Sequence, residues 1–217
     1  MPGVESRPIT RDVYLTPEGA AWLPGARAIV IADVHLGYAR AARRRGGYLP
    51  PIESARAVAD RALAICARAG ATRLVIAGDV RHSTRDADAR ELDEVAAFHA
   101  MLAGAGPLEH VDLIAGNHDR DAPSPFVGSA ALDDVDVTHK PPAAIPDRWT
   151  IAGHLHPRTT LRDETGAGIR VPCALVGPRI IVLPAFSLWA GGISVARALR
   201  ALPPGEWRVI PSLVTGR

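Results

Sequence analysis

Five short apolar runs of this chain each end in side chains that a hydrophobic core has no use for. "IVIADVHLG" leads into Asp33 and His35, and "LVIAGDVRH" into Asp79. "LIAGNHD" leads into Asn117, His118 and Asp119, "VDVTH" into His139, and "TIAGHLH" into His154 and His156. Short, wholly apolar runs bounded by turn residues are the signature of buried strands. In open α/β sheets, ligands bind in the crevice outside the carboxyl ends of the strands. Polar groups far apart in the sequence are therefore expected to converge at one edge.

The segments between these runs fix the fold class. "IESARAVADRALAICARAG" (52–70) has helical spacing, with Ile52, Ala55, Val58, Ala59, Ala62, Leu63 and Cys66 on one face and Gly70 at the end. "DARELDEVAAFHAMLAGAG" (88–106) reads the same way. Strand, helix, strand, helix, strand predicts parallel β-α-β units. The second half changes character. "VDVTH", "WTIAGH", "IRVPCALV" and "RIIVLPAF" read as strands joined by turns, with Pro and Gly clustered at 121–129 and 141–146. "DVYLT" and "GAAWLPG" suggest a leading hairpin at a sheet edge. The reading is one α/β domain over residues 1–217 whose later strands pair locally.

Composition narrows the setting. With 47% hydrophobic and 22% charged residues, the chain is globular and not disordered. A net charge of +2 is too small to establish a nucleic-acid partner by itself. Arg is abundant while Lys140 is the only lysine, a pattern that suits GC-rich coding. Cys66 and Cys173 do not make a disulfide framework. No apolar run reaches the roughly 18 residues of a membrane span, and "MPGVESRPIT" lacks a signal-peptide pattern. A soluble cytoplasmic protein is the expectation.

Two carboxylates, one amide and four imidazoles, without a thiolate, suit Mn, Fe or Zn in a mixed N/O site. Seven such groups exceed what one four-coordinate zinc takes, and they suit two ions sharing a carboxylate. Strand alternation would let Asp33 and His35 share a face. His154 and His156 have the same spacing, but a turn there can send them to different ions. Gly37, Gly78, Gly116 and Gly153 permit tight turns beside these groups. A lone Asp at a strand end is ordinarily a turn former, and lone His99 and His110 read as surface residues. Five agreeing blocks are not explained that way.

In this order, "DVH", "GD", "GNHD", a lone His and "GHLH" resemble the calcineurin-like metallophosphoesterase superfamily from about Ala28 to about Gly192. "ADVHLGYARAARRRGGYLP", "GDVRHS", "HKPP" and "VPC…IIVLPAFSLWAGG" are similar to the small ligase-associated DNA-damage-response phosphoesterases and their archaeal relatives. The chain departs from them at Lys140, where they often carry an acid, and at Ser187, where they carry glycine. The resemblance implies a single-domain fold of two mixed β-sheets packed as a sandwich and flanked by helices, in four layers, α-β-β-α. It implies one metal held by Asp33, His35, Asp79 and His156, and another by Asp79, Asn117, His139 and His154. The ligand mixture itself makes manganese the expectation, ahead of iron or zinc. A hydroxide shared by the two ions would attack the phosphorus. His118 would be the catalytic acid, with Asp119 orienting or supporting it.

Two further features stand beside that set. His82 either touches substrate phosphate, supports the groups that bind the metals, or is a surface loop residue. "RAARRR" (Arg40 to Arg45) directly follows the first block, and Arg43, Arg44 and Arg45 either hold a nucleic-acid backbone or form a solvated helix face. The resulting expectation is a phosphodiesterase, a nuclease of DNA repair, with a ligase or helicase as a partner implied by the family alone. The alternatives are an enzyme of small phosphoesters and a catalytically silent, metal-stabilised module.

Overall fold

A computed structural model describes residues 6–48, 54–84, 89–119 and 125–212. Ile52, Asp88 and the loop residues 121–124 of the predicted segments lie outside the described residues. The first sheet runs in chain order: β1 (Arg7–Pro8), β2 (Tyr14–Leu15), β3 (Ala21–Leu23), β4 (Ala28–Ile31), β5 (Arg73–Ile76), β6 (His110–Ile114) and β7 (Phe126–Val127). The first four strands pair antiparallel, and β4 to β7 are parallel. The expected leading hairpin is β2–β3, with β1 outermost.

The parallel part exists because helices return the chain across it. α2 (Ala55–Ala69) follows α1 (Tyr38–Arg44), and α3 (Ala89–Ala103) links β5 to β6. Ser54 caps α2 by accepting from the Ala57 N–H at 3.2 Å. Gly70 ends it in the left-handed conformation, where glycine carries no Cβ penalty. Ala55, Val58, Ala59, Ala62 and Cys66 are buried as their spacing predicts, joined by Ile65.

The second sheet contains β8 (Ala130–Leu132), β9 (Val135–Thr138), β10 (Trp149–Ala152), β11 (Pro157–Arg162), β12 (Gly168–Gly177), β13 (Ile180–Val182), β14 (Ile193–Ser194) and β15 (Arg208–Pro211). Its order is β14-β11-β12-β13-β10-β9-β8, with β15 on β12. Local antiparallel pairing holds for β8–β9, β11–β12 and β12–β13. β10 departs from it, lying parallel between β9 and β13. The strands β11, β14 and β15 and the helix α4 (Val195–Leu199) carry no clear sequence signal.

Alternation sorts the core into layers. Ile29, Ile31, Leu74 and Ile76 face α2 and α3. Their neighbours Ala28, Val30 and Val75 face Val137, Ile151 and Ile181 of the second sheet. Leu175, Ile180 and Val182 lie on that sheet's far side with Ala198 of α4. Two mixed sheets therefore pack as a sandwich between helices, the outermost layer being thin. No helix among the described residues is long and apolar enough to cross a membrane.

Candidate metal centre

The carboxyl ends of β4, β5, β6, β9 and β10 meet at one edge of the sandwich. The loops leaving them are tied together before any side chain is considered. The Asp33 N–H donates to Gly78 O at 3.2 Å, His35 N–H to Asp79 O at 2.8 Å, and Leu36 N–H to Val80 O at 2.7 Å. The β4–β5 pairing thus continues past the strands. Asp33 and His35 do not share a strand face, as alternation suggested. Both lie beyond β4 with positive φ, 55° and 51°. Asp79, His154 and His156 are also left-handed, at 48°, 71° and 44°. Asp and His visit this region more readily than most residues, still at a cost.

Close approach explains two glycines. A Cβ at Gly78, itself at φ +85°, would run into the His139 ring. One at Gly116 would strike the Asp79 carboxylate and backbone. The β5 and β6 loops can carry their polar groups this close only because those positions lack side chains.

Two clusters result. Asp33, His35, Asp79 and His156 each present a ligand-type atom, all within 4.8 Å of one another. Asp79, His139 and His154 do the same. His35 Nε2 faces His156 Nε2 at 3.3 Å, and His156 Nε2 lies 3.4 Å from Asp33 Oδ1. In the second cluster His139 Nε2 lies 3.1 Å from His154 Nδ1 and 3.4 Å from Asp79 Oδ1. Asn117 joins this group through Oδ1, 3.0 Å from His139 Nε2. Ligands about 2.1 Å from a shared ion stand roughly 3.0–3.4 Å apart at tetrahedral or octahedral angles, which matches these spacings.

Tautomers are set from behind. His156 Nδ1–H donates to Gly191 O at 2.9 Å and His139 Nδ1–H to Ala77 O at 3.1 Å, which turns both Nε2 lone pairs inward. Burial, with His156 and His118 close by, depresses the His35 pKa to about 2. Burial and the neighbouring His139 bring His154 down to about 4. Burial works against protonation of His156 as well, but the Asp33 carboxylate close by outweighs it and raises the pKa. Of the facing pair, His156 is the more readily protonated. Burial likewise raises Asp79 against the pull of His139. Neutral imidazoles are what a divalent ion requires. Asp33 Oδ1 is buried with no hydrogen-bond partner, an unmet acceptor aimed at the first cluster. These residues fit divalent metal ions.

His118 stands beside the clusters. Its N–H donates to Asp79 Oδ1 at 2.9 Å, and its Nε2 is 3.8 Å from Asp79 Oδ2. Its Nδ1–H donates to the His82 carbonyl. Asp119 does not orient that ring. Its carboxylate accepts from the N–H groups of Gly116 at 2.9 Å, Val80 at 3.1 Å and Arg81 at 3.1 Å. Asp119 therefore supports His118 only indirectly, by clamping the β5 and β6 loops together. Sequence reasoning missed two residues here. Arg81 Nε–H donates to the His118 carbonyl at 2.5 Å. Glu91 Oε1 accepts from His82 N–H and Ser83 N–H at 3.2 and 2.8 Å. Arg81 adjoins "GD" and could have been suspected, whereas Glu91 stands among other helix acids without a distinguishing signal.

His82 is not a surface residue. It packs against Tyr38, with ring centroids 4.5 Å apart, and forms a third close group with His35 and His118. Burial, then His118, lowers its pKa to about 4. A cavity of about 480 Å³ is lined by His82, His118, Ser83, Thr84, Arg44 and Arg45. The structure thus brings Arg44 and Arg45 to the site, while Arg43 is exposed and does not line the cavity. On the other flank, a cavity of about 570 Å³ begins at His156.

The fold is consistent with that of a calcineurin-like metallophosphoesterase. The solved structure of the nuclease MPE from Pseudomonas putida is similar over nearly the whole chain. The two share 25% identity over 97% of this chain and 98% of that one, with a TM-score of 0.68. The phosphoesterase YfcE from E. coli is a looser match, 18% identical over 76% of this chain and 83% of that one, with a TM-score of 0.40. No family model and no curated protein matches the sequence itself.

Proposed function

We propose that this chain is a metal-dependent phosphoesterase with a dinuclear centre, and that it cleaves phosphodiester bonds of single-stranded DNA in repair. The observation that carries the reading is the cavity that Arg44 and Arg45 make cationic, lined also by His82 and by His118 beside the metal clusters. The similarity to a nuclease supports the choice of a polymer over a small phosphoester. Manganese fits the carboxylate-and-imidazole set, with iron and zinc as its competitors. A ligase or helicase of the same repair process is the proposed partner.

Asp33, His35, Asp79 and His156, and Asp79, Asn117, His139 and His154, would hold two divalent ions, which when bound would acidify a water and offset charge on the phosphoryl oxygens. The remaining work falls to side chains. Arg44 and Arg45 hold the phosphate backbone in the cavity, as guanidiniums do. His82 lines the floor against that strand. As the new oxygen–phosphorus bond forms, the bond to the leaving oxygen breaks. The His118 Nε2–H gives its proton to that oxygen, while Nδ1–H stays on the His82 carbonyl and fixes the ring.

The test is Mn²⁺-dependent hydrolysis of bis-p-nitrophenyl phosphate and end-labelled single-stranded DNA, side by side, with Asp79→Asn as the control. Cleavage of both, lost in the control, is the expected result. Cleavage of the small diester alone makes the chain an enzyme of small phosphoesters. Metal binding without cleavage of either makes it a silent module.

A further inference from the structure

The cavity of about 570 Å³ on the second flank differs in kind from the first. Its walls include Leu161, Ile169, Val171, Phe186 and Leu188. Several of these stay exposed at the rim, Ile169 by 66% and Leu188 by 46%. One side of it is formed by His156 and Gly191, which the imidazole-to-carbonyl bond joins. The cavity therefore adjoins the metal centre, and its volume is that of a small-molecule site.

Its wall is not uniformly greasy. Arg158, Ser187 and Ser212 stand among the apolar residues of the lining. A flat heterocycle with apolar faces and with nitrogens and carbonyls along its edge suits such a mixed wall.

The two cavities stand one imidazole apart. The His35 ring lies 4.9 Å from that of His118 in the cationic wall and 5.0 Å from that of His156 at the mouth of the apolar one. A phosphodiester has two ester arms. The arm that departs must lie near His118, and the arm that stays, which leaves the phosphorus at an angle to it, has the second flank within reach.

We infer that the apolar cavity beside His156 seats the nucleobase of the nucleotide that keeps the phosphate after cleavage. This rests on the phosphodiesterase reading and assigns the substrate's second half.

Two esters with the same leaving group isolate the retained arm: thymidine 5′-(p-nitrophenyl phosphate) and methyl p-nitrophenyl phosphate, each with Mn²⁺. The thymidine ester is expected to show a kcat/KM at least about tenfold higher, mostly through KM, as burial of one aromatic ring supports. Val171→Asp should bring the ratio of the two esters close to one. A misfolded variant loses both esters together and leaves the ratio as it was, so Ile169→Asp at the exposed rim serves as the second variant. A binding readout needs no turnover: in chelated protein, thymidine 5′-monophosphate should shift the methyl resonances of Val171 and Leu161, and methyl phosphate should not. Equal kcat/KM for the two esters overturns the inference and leaves the phosphodiesterase reading standing. So does a ratio that survives both variants. If neither ester nor bis-p-nitrophenyl phosphate is hydrolysed, the phosphodiesterase reading falls first. A dimer that dissociates on Ile169→Asp with the ester ratio unchanged assigns the cavity to a second copy.

Discussion

The first sheet brings Asp33, His35, Asp79 and Asn117 to the centre, and the second brings His139, His154 and His156. Both carboxylates come from one side and all three second-sheet groups are imidazoles. Neither side holds a complete cluster. The first cluster takes His156 across the seam, and the second relies on Asp79 from the opposite sheet. Beneath them, the seam is apolar, with Ala28, Val30 and Val75 against Val137, Ile151 and Ile181. The lesson is that the core docks the sheets while the centre is completed only by their docking, so metal affinity reports on the seam.

The largest expected effect comes from the side that is shared. Asp79→Asn touches both clusters. Changes behind a metal ligand already cost about 10–100-fold, so loss of the common carboxylate should take turnover to background and metal content with it. Activity assays paired with metal analysis check this, and retained metal at both positions would break the comparison. His118→Asn, also on the first-sheet side, should lower DNA cleavage by about 10²–10⁴-fold while metal content holds. It should leave bis-p-nitrophenyl phosphate nearly untouched, since nitrophenolate departs without a proton. Equal loss on both substrates would give His118 another role. His154→Ala, from the second sheet, should remove one ion of the pair and spare the other, with an activity loss of about 10–100-fold. Loss of both ions would show the clusters to be inseparable.

The smallest effect is in the acid limb of stability. In chelated protein His154 and His82 titrate at about 4 and His35 at about 2, against about 6.5 in an unfolded chain. The unfolded state binds more protons in that window, so stability is complete above about pH 6.5 and is lost progressively as pH falls towards 4. His156 and Asp79, both shifted upward, oppose this, since their contribution is lost as pH rises. Thermal melts of chelated protein across this range should fall on acidification, and a flat profile would refute the burial assignments.

The participants in the site were legible because each is a polar side chain at the end of an apolar run, and no core requires such a pattern. Their geometry was less so. Asp33 and His35 meet through left-handed turns beyond β4, not through strand alternation, because the ladder with Gly78, Asp79 and Val80 continues past the strand. The role of Asp119 was hidden because it acts on backbone N–H groups, which every residue has and no motif marks. In the fold, α2 stood out through its apolar face and its caps. β15 and α4 did not, because β15 buries none of its four residues fully and α4 spans little more than a turn, too short for either to show a period.

The left-handed backbone at Asp33, His35, Asp79, His154 and His156 has a consequence for anyone who evolves this chain in the laboratory. Each such residue stores on the order of 1–2 kcal/mol that glycine would release. A selection for heat resistance alone, run without metal, would admit glycine at these five positions as well as at the left-handed Arg27, Asp133 and Arg179 outside the site. It would return a sturdier protein whose working edge had been erased. Durability in this fold has to be sought elsewhere, in the helices and the far face of the second sheet.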